Sequence, residues 1–305
     1  MPGNILSKDL EGIFRDIKGE KRVDYPLSKL SSFRVGGKGD MVVFPNDVDD
    51  LLLLRKIATE NAITLTLIGF GSNLLIRDGG IRGLTVILRK GFKNIDVVGE
   101  KIAAGAGIGL QELAKEAAKH SLSGLEFAAG IPGTLGGAIA MNAGTDKGEI
   151  KDILSRLTLL DERGELLEIK GSDISFGYRR ANLPKDGIVV EAELELTKGN
   201  IEEIERSIGS EIERRRNKGE YKGFNAGSIF KNPAGDFAGR LIEEAGLKGY
   251  RVGGAVVSGD HANFILNEGE ATAKDILELI SLIKDRVYKN SGLLLEEEIQ
   301  IIGEE

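Results

Sequence analysis

Apolar positions along the chain follow two rhythms, and the alternation between them sketches the fold. Met41-Val42-Val43-Phe44-Pro45 is a continuous apolar run of strand length. Asp47 then predicts a helix cap, with Asp50 three residues on as its capping-box partner and a helix over 48–60. Residues 64–69 and 85–89 read as further strands around a turn at Asp78-Gly79-Gly80, which gives a β-α-β start. Short strands follow at 94–99 and 101–107, and a helix over 109–119 collects Leu110, Leu113, Ala114 and Ala117 on one face. Residues 155–161 and 165–170, joined by Glu162-Arg163-Gly164, read as a hairpin, and 187–196 as another strand. Beyond 200, Ile201, Ile204, Ile208 and Ile212 make a helical stripe. A second helix opens at Thr272, with Asp275 three residues on, and turns Ile276, Leu279, Ile280, Ile283 and Val287 inward; 293–302 closes as a strand. The pattern divides into three lobes: 1–92, then 93–200 joined by the C-terminal strand in 293–305, then 201–292.

Composition narrows the chemistry. Glycine is abundant (42 of 305) while proline is scarce (6), which fits tight turns or close approach of a ligand rather than a collagen-like or low-complexity chain. The net charge of −7 provides no overall basic field for nucleic acid. The absence of cysteine excludes disulfides, thiolate metal ligands and a thiol nucleophile, and two histidines, His120 and His261, are too few for a histidine-built metal site. The most apolar long window, 124–144, holds six glycines, a proline and Glu126, so it does not read as a membrane span. A cytoplasmic monomer is expected, with no metal, membrane or nucleic-acid partner.

Two glycine-rich segments are candidate ligand surfaces. Gly69-Phe70-Gly71-Ser72-Asn73-Leu74 follows an apolar strand, and its glycines allow positive φ, so that successive N–H groups can converge on an anion. It is not a Rossmann fingerprint, because Leu74 stands where the third glycine is needed and a strand follows instead of a helix. A plain turn between strands is the alternative. Gly130-Ile131-Pro132-Gly133-Thr134-Leu135-Gly136-Gly137, followed by Met141-Asn142-Ala143-Gly144, offers little side chain to fill a core; either a flat or phosphate-bearing ligand or close helix–strand packing takes up the space. Arg214-Arg215-Arg216 with Lys218 reads as a solvated helix C-terminus or as a phosphate-facing patch.

The segments SSFRVGG (31–37), GFGSNLLI (69–76), AGIPGTLGGAIAMNAG (129–144), FGYRR (176–180), NAGSIFKNP (225–233) and LEEEI (295–299), in this order, resemble the UDP-N-acetylenolpyruvoylglucosamine reductases, flavoenzymes of peptidoglycan precursor synthesis. The resemblance runs from about residue 30 to the C-terminus. It implies an α+β fold: a bipartite FAD-binding domain of the vanillyl-alcohol-oxidase (PCMH) type plus a C-terminal α/β substrate-binding domain. It also implies non-covalent FAD held by Gly69, Gly71, Ser72, Asn73, Leu74, Gly130, Ile131, Pro132, Gly133, Thr134, Gly136, Gly137, Asn142 and Ala143, with NADPH as co-substrate. In the implied ping-pong cycle NADPH reduces the flavin, and the flavin then delivers hydride to the vinyl carbon of the enolpyruvyl UDP-sugar.

Hydride addition beside a carboxylate builds negative charge that a fixed cation should face, and the family's arginine falls on Arg179, after Tyr178. The family's proton-donating serine falls on Ser228, and its glutamate on Glu298. Period-2 geometry alone does not separate Glu298 from Glu296. Tyr178, Lys231 and Asn232 are expected at the substrate, and Lys218, Lys222 and His261 are weaker candidates for its pyrophosphate. Several positions depart from the family: Glu297 and Gln300 replace its proline and arginine, Ala181 replaces a serine, and NAGTDKG lacks the usual aromatic. The stretch between Arg179 and Ser228 resembles the subclass without an extra tyrosine-bearing loop. The competing readings are an FAD-dependent oxidase on the same fold and a non-catalytic nucleotide-sugar-binding protein.

Overall fold

A computed structural model describes residues 12–217 and 223–305. The described residues form two compact units: 12–23, 41–70 and 83–213 in one, and 24–40, 71–82, 214–217 and 223–305 in the other.

In the first unit the β-α-β start is as the pattern predicts. The strand Lys38–Phe44, which enters this unit at Met41, leads to the helix Val48–Glu60, and Asp47 caps it by accepting the Asp50 N–H at 2.9 Å. Asp50 does not return the bond to Asp47. It is buried, and its carboxylate accepts the N–H groups of Lys18, Gly19 and Asn46 at 2.8–2.9 Å. The expected capping box is therefore half a box, because the carboxylate is taken up by a neighbouring turn of chain. The strand Leu65–Ile68 runs parallel to Ile81–Ile87, with Leu65 opposite Leu84 and Ile68 opposite Ile87. A five-stranded antiparallel sheet follows in the order Leu166–Lys170, Leu154–Leu160, Ile188–Glu195, Lys101–Gly105, Ile95–Val98. The helix Leu110–Lys119 buries Leu110, Leu113, Ala114 and Ala117 in the same core.

The second unit is built on three antiparallel strands, Arg251–Val252, Ala255–Val257 and Ile265–Asn267, with the helices Ala238–Glu244 and Ala273–Ser291. The capping box at Thr272 and Asp275 is complete. The Asp78 carboxylate adds bonds from the N–H groups of Ala273 and Lys274, both at 2.9 Å, where a helix N-terminus favours negative charge. The apolar face of the helix lands as read: Ile276, Leu279, Ile280, Ile283 and Val287 are all buried.

Three elements differ from the sequence reading. The helix Ile201–Asn217, assigned to the third lobe, buries Ile204 and Ile208 in the core of the first unit, and its residues through Glu213 belong there; Ile201 is exposed. Residues 24–40 and 71–82, assigned to the first lobe, join the second unit because Phe33, Val35 and Leu75 bury in its core. The C-terminal strand is only Gln300–Ile302; it pairs in parallel with Leu74–Ile76 and does not extend the 93–200 stretch. Leu295 and Ile299, which precede it, are buried in the second unit's core and carry the chain there. No described helix is long and apolar enough to cross a membrane.

Candidate active site

Two of the expected functional segments come together within the first unit. A Cβ on Gly69 would lie 2.6 Å from Thr134 Oγ1, so the end of the strand Leu65–Ile68 and the second glycine window approach as closely as a missing side chain permits. Thr134 is buried and caps the six-residue helix Leu135–Ala140 by accepting the Gly137 N–H at 3.2 Å. Around it Pro132 and Gly137 are exposed, and Ile131, Gly133, Gly136 and Ala143 are half-buried. The surface is thus backbone and small groups, against which a flat ring system can lie.

Asn142 follows that helix, fully buried at φ +41. Its amide is committed inside the protein: Nδ2 donates to Glu149 Oε2 at 3.0 Å and to the Gly177 carbonyl at 3.3 Å, and Oδ1 accepts the Lys151 N–H at 3.1 Å. Arg179 sits in the two-residue turn between Phe176–Gly177 and Arg180–Ala181, at φ +56, with its guanidinium 5.0 Å from the Tyr178 ring centre. Ala181, in the place of the family's serine, pairs with Phe176. The Glu149 carboxyl is held below the usual carboxylate range, chiefly by the bond from Lys151, with contributions from Asn142 and the Arg179 charge.

Ser228 and Glu298 lie in the second unit. Gly71 takes φ +65, the left-handed conformation that backbone anion nests use, and its Cβ position lies 2.0 Å from the Leu30 carbonyl, so no side chain is tolerated. Ser72 and Leu74 are half-buried beside it. Asn73 donates Nδ2 to the Glu298 carbonyl at 3.1 Å and accepts the Gln300 N–H at 2.9 Å, bracketing Glu298 from both sides. Glu298 in turn donates its N–H to the Ile229 carbonyl at 2.8 Å, one residue from Ser228. The loop before Ser228 turns at Gly227, φ +77, where Asn225 Oδ1 accepts the Gly227 N–H at 3.0 Å.

The three glutamates that looked alike in sequence have different surroundings. Glu296 is exposed and pairs with Lys231, Glu297 pairs with Lys284 at 2.8 Å, and Glu298 is half-buried beside Ile229. Two residues expected at the substrate are already engaged within the protein: Lys231 on Glu296, and Asn232, whose Oδ1 accepts the Ala238 N–H at 3.1 Å. His261 packs edge-on against Phe264 and accepts the Asn263 N–H at Nδ1, a structural setting. Lys218 and Lys222 lie outside the described residues. Sequence reasoning missed Asn263, which is buried and grips both backbone groups of Phe230, two residues after Ser228, at 3.0 and 2.8 Å. It missed Glu149 as well. Nothing in their local sequence distinguishes either from a surface polar residue.

Residues 39–170 match a family described as an FAD binding domain, and 219–302 match the C-terminal domain of UDP-N-acetylenolpyruvoylglucosamine reductase. The curated reductase of that name from Clostridioides difficile (strain 630) is 46% identical over 303 residues, covering 99% of this chain and 96% of its own. The chain belongs to the UDP-N-acetylenolpyruvoylglucosamine reductase family. The reductase from Alkaliphilus oremlandii is 45% identical, over 93% of each chain. The crystal structure of the Thermus caldophilus reductase superposes with a TM-score of 0.81 at 37% identity, covering 93% of this chain and 98% of that one. The glucose dehydrogenase Phl p 4.0202 shares the fold alone, with a TM-score of 0.50 at 16% identity over 63% of this chain. The chain is therefore an oxidoreductase of the reductase family on the α+β, vanillyl-alcohol-oxidase-type fold, with FAD as its cofactor. Within the first unit, the small-residue surface at 131–137 fits such a group.

Proposed function

We propose that the protein reduces the enolpyruvyl group of UDP-N-acetyl-3-O-(1-carboxyvinyl)-glucosamine to give UDP-N-acetylmuramate, drawing electrons from NADPH, as a step in peptidoglycan precursor synthesis. The names of its relatives support the reaction class. FAD, when bound, supplies the two-electron chemistry between NADPH and the vinyl group. NADPH and substrate use the cofactor in alternate half-reactions.

The chain's own residues divide the remaining work. Arg179 offers a planar, always-charged fork to the substrate carboxylate and balances the negative charge that builds beside the reacting carbon. The guanidinium lies 5.0 Å from the Tyr178 ring centre, within reach of a cation–π attraction. Ser228 gives its hydroxyl proton to the carbon next to the carboxylate. A serine hydroxyl is a weak acid, so it serves only when the receiving carbon is strongly basic and the hydroxyl is already aimed. Glu298 supports that step from the adjoining stretch of chain. The observation that supports this reading is the 2.8 Å bond from the Glu298 N–H to the Ile229 carbonyl, which sets the stretch bearing Glu298 against the residue after Ser228.

The test is direct. The purified, flavin-loaded protein should oxidise NADPH only when the enolpyruvyl UDP-sugar is present, with a product heavier by two hydrogens. Turnover driven by oxygen instead points to an oxidase, and binding without turnover to a non-catalytic protein.

A further inference from the structure

Asn142 takes no part in the chemistry above, yet it is among the most constrained side chains in the first unit. It is fully buried at φ +41, a conformation asparagine enters more readily than most residues but still at a cost. Its amide ties the end of the glycine-rich window to the nearby 149–151 turn, through Glu149 and Lys151, and to the more distant Arg179 turn, through Gly177.

The bond to Gly177 matters because of what Gly177 carries. It pairs with Arg180 across the Tyr178–Arg179 turn, and Phe176 pairs with Ala181 beyond it. Arg179 occupies the left-handed region, at φ +56, where a residue with a Cβ is strained and persists only if its surroundings hold it. A two-residue turn closed by so short a ladder needs an outside anchor, and the buried amide is one. Glu149 is the second partner. Its carboxylate accepts from Asn142 and pairs with Lys151 Nζ at 2.7 Å, and it lies within electrostatic reach of Arg179.

We propose that Asn142 is a positioning residue for Arg179: its buried amide fixes the Gly177 carbonyl and the Glu149 carboxylate together, so that the guanidinium is aimed before substrate arrives. A cation aimed in advance needs no reorganisation when charge develops, which is the condition under which it is most effective. The inference rests on the reading of Arg179 as the residue that meets the substrate carboxylate.

Asn142→Asp tests it. Aspartate keeps the shape, tolerates the backbone conformation and still accepts the Lys151 N–H. It loses both donors and sets a carboxylate against Glu149 and the Gly177 carbonyl. At pH 8 both carboxylates are ionised. On acidification such a close pair takes up a shared proton, which restores one donor. The full-length protein is purified with its flavin, prereduced, and mixed with the enolpyruvyl UDP-sugar; reoxidation is scored per bound FAD. Relative to wild type, the half-saturating substrate concentration should rise about 10-fold at pH 8, the order expected for hydrogen bonds lost around a charged group. That deficit should shrink at pH 6. A variant indistinguishable from wild type at pH 8, or equally impaired at both pH values, overturns the proposal. If the aspartate variant does not fold, Asn142→Ser shortens the reach to Gly177 without adding charge. It should raise half-saturation equally at both pH values, and wild-type half-saturation in it overturns the proposal. Arg179→Ala is the reference. If it too reoxidises normally, the reading of Arg179 itself fails. If it is slow while the Asn142 variants are normal, only the positioning role fails.

Discussion

The backbone N–H of Glu298 donates to the carbonyl of Ile229 at 2.8 Å, so Glu298 and the residue after Ser228 oppose each other across a short antiparallel contact. The Lys231 N–H bonds the Glu296 carbonyl at 2.9 Å in the same ladder, and Phe230 opposes Glu297. Asn263 grips Phe230 from one side and Asn73 brackets Glu298 from the other. Neither the hydroxyl nor the carboxylate sits on a loose loop.

Ser228→Ala should therefore slow reoxidation of the prereduced enzyme by the enolpyruvyl substrate by at least ~10²-fold, the lower end for a lost general acid, with flavin reduction by NADPH much less affected. Cysteine should restore part of the rate. Glu298→Gln should behave like Ser228→Ala. Glu296→Gln should be mild, because Glu296 is exposed and pairs with Lys231 at the surface. Stopped-flow reoxidation measures all of these. A wild-type rate in Ser228→Ala places the acid elsewhere, and a crippled Glu296→Gln shifts the glutamate by two positions.

Arg179→Lys keeps the charge but not the planar fork that lies 5.0 Å from the Tyr178 ring centre. Oxidation by the enolpyruvyl substrate should fall about 10-fold or more, while reduction by NADPH changes little, on the scale of a lost charge-assisted hydrogen bond. Equal loss in both half-reactions would remove Arg179 from the substrate carboxylate.

Much of the fold was legible because periodicity reports local burial directly. The stripe Ile276, Leu279, Ile280, Ile283 and Val287 lands in the core, and the Thr272–Asp275 box closes as read. The same logic misplaced the helix from Ile201, since a stripe says that a face is buried but not against which core. The glycines of 69–74 predict positive φ around an anion, and Gly71 does take φ +65; but Gly69 and Gly71 are also required by the protein's own close approaches, to Thr134 and Leu30. Polar residues in the site motifs were read as contacts with bound molecules. Asn73, Thr134, Asn142 and Asn232 spend side-chain atoms on the protein's own backbone. Such bonds connect residues as far apart as Asn73 and Glu298, and no local pattern encodes them.

Asn73 gives a prediction that separates two roles. Its side chain supports the Glu298 carbonyl, so Asn73→Ala should slow reoxidation by the enolpyruvyl substrate about 10-fold while FAD remains bound, the order for one lost buried hydrogen bond. FAD affinity and reoxidation per bound flavin are the two measurements. Loss of FAD with normal reoxidation would put the side chain on the cofactor instead.

The N-terminus of the helix Ala273–Ser291 predicts a pH dependence of stability with a definite sign. Asp275 accepts the Thr272 N–H at 2.9 Å, and its side chain lies 3.4 Å from the Gly254 N–H. These bonds, the one from Thr272 foremost, hold its carboxyl below the ordinary carboxylate range. A carboxylate whose pKa is lower folded than unfolded contributes stability in full above its unfolded value, near ~3.9, and loses it as pH falls through the folded value. Asp275→Asn should thus destabilise the protein at pH 7, and the gap to wild type should narrow as pH drops below about 4. Thr272→Ala removes the reciprocal cap to the Asp275 N–H, at 3.1 Å, and should cost about 1 kcal/mol. The Thr272 hydroxyl also helps hold the Asp275 carboxyl down, so a lesser part of the Thr272→Ala deficit should fade on acidification while the lost cap to the Asp275 N–H persists. Denaturant unfolding of both variants at pH 7 and pH 3.5 distinguishes the two behaviours. An Asp275→Asn deficit that widened on acidification would mean that the carboxylate is not stabilised in its ionised form at this cap.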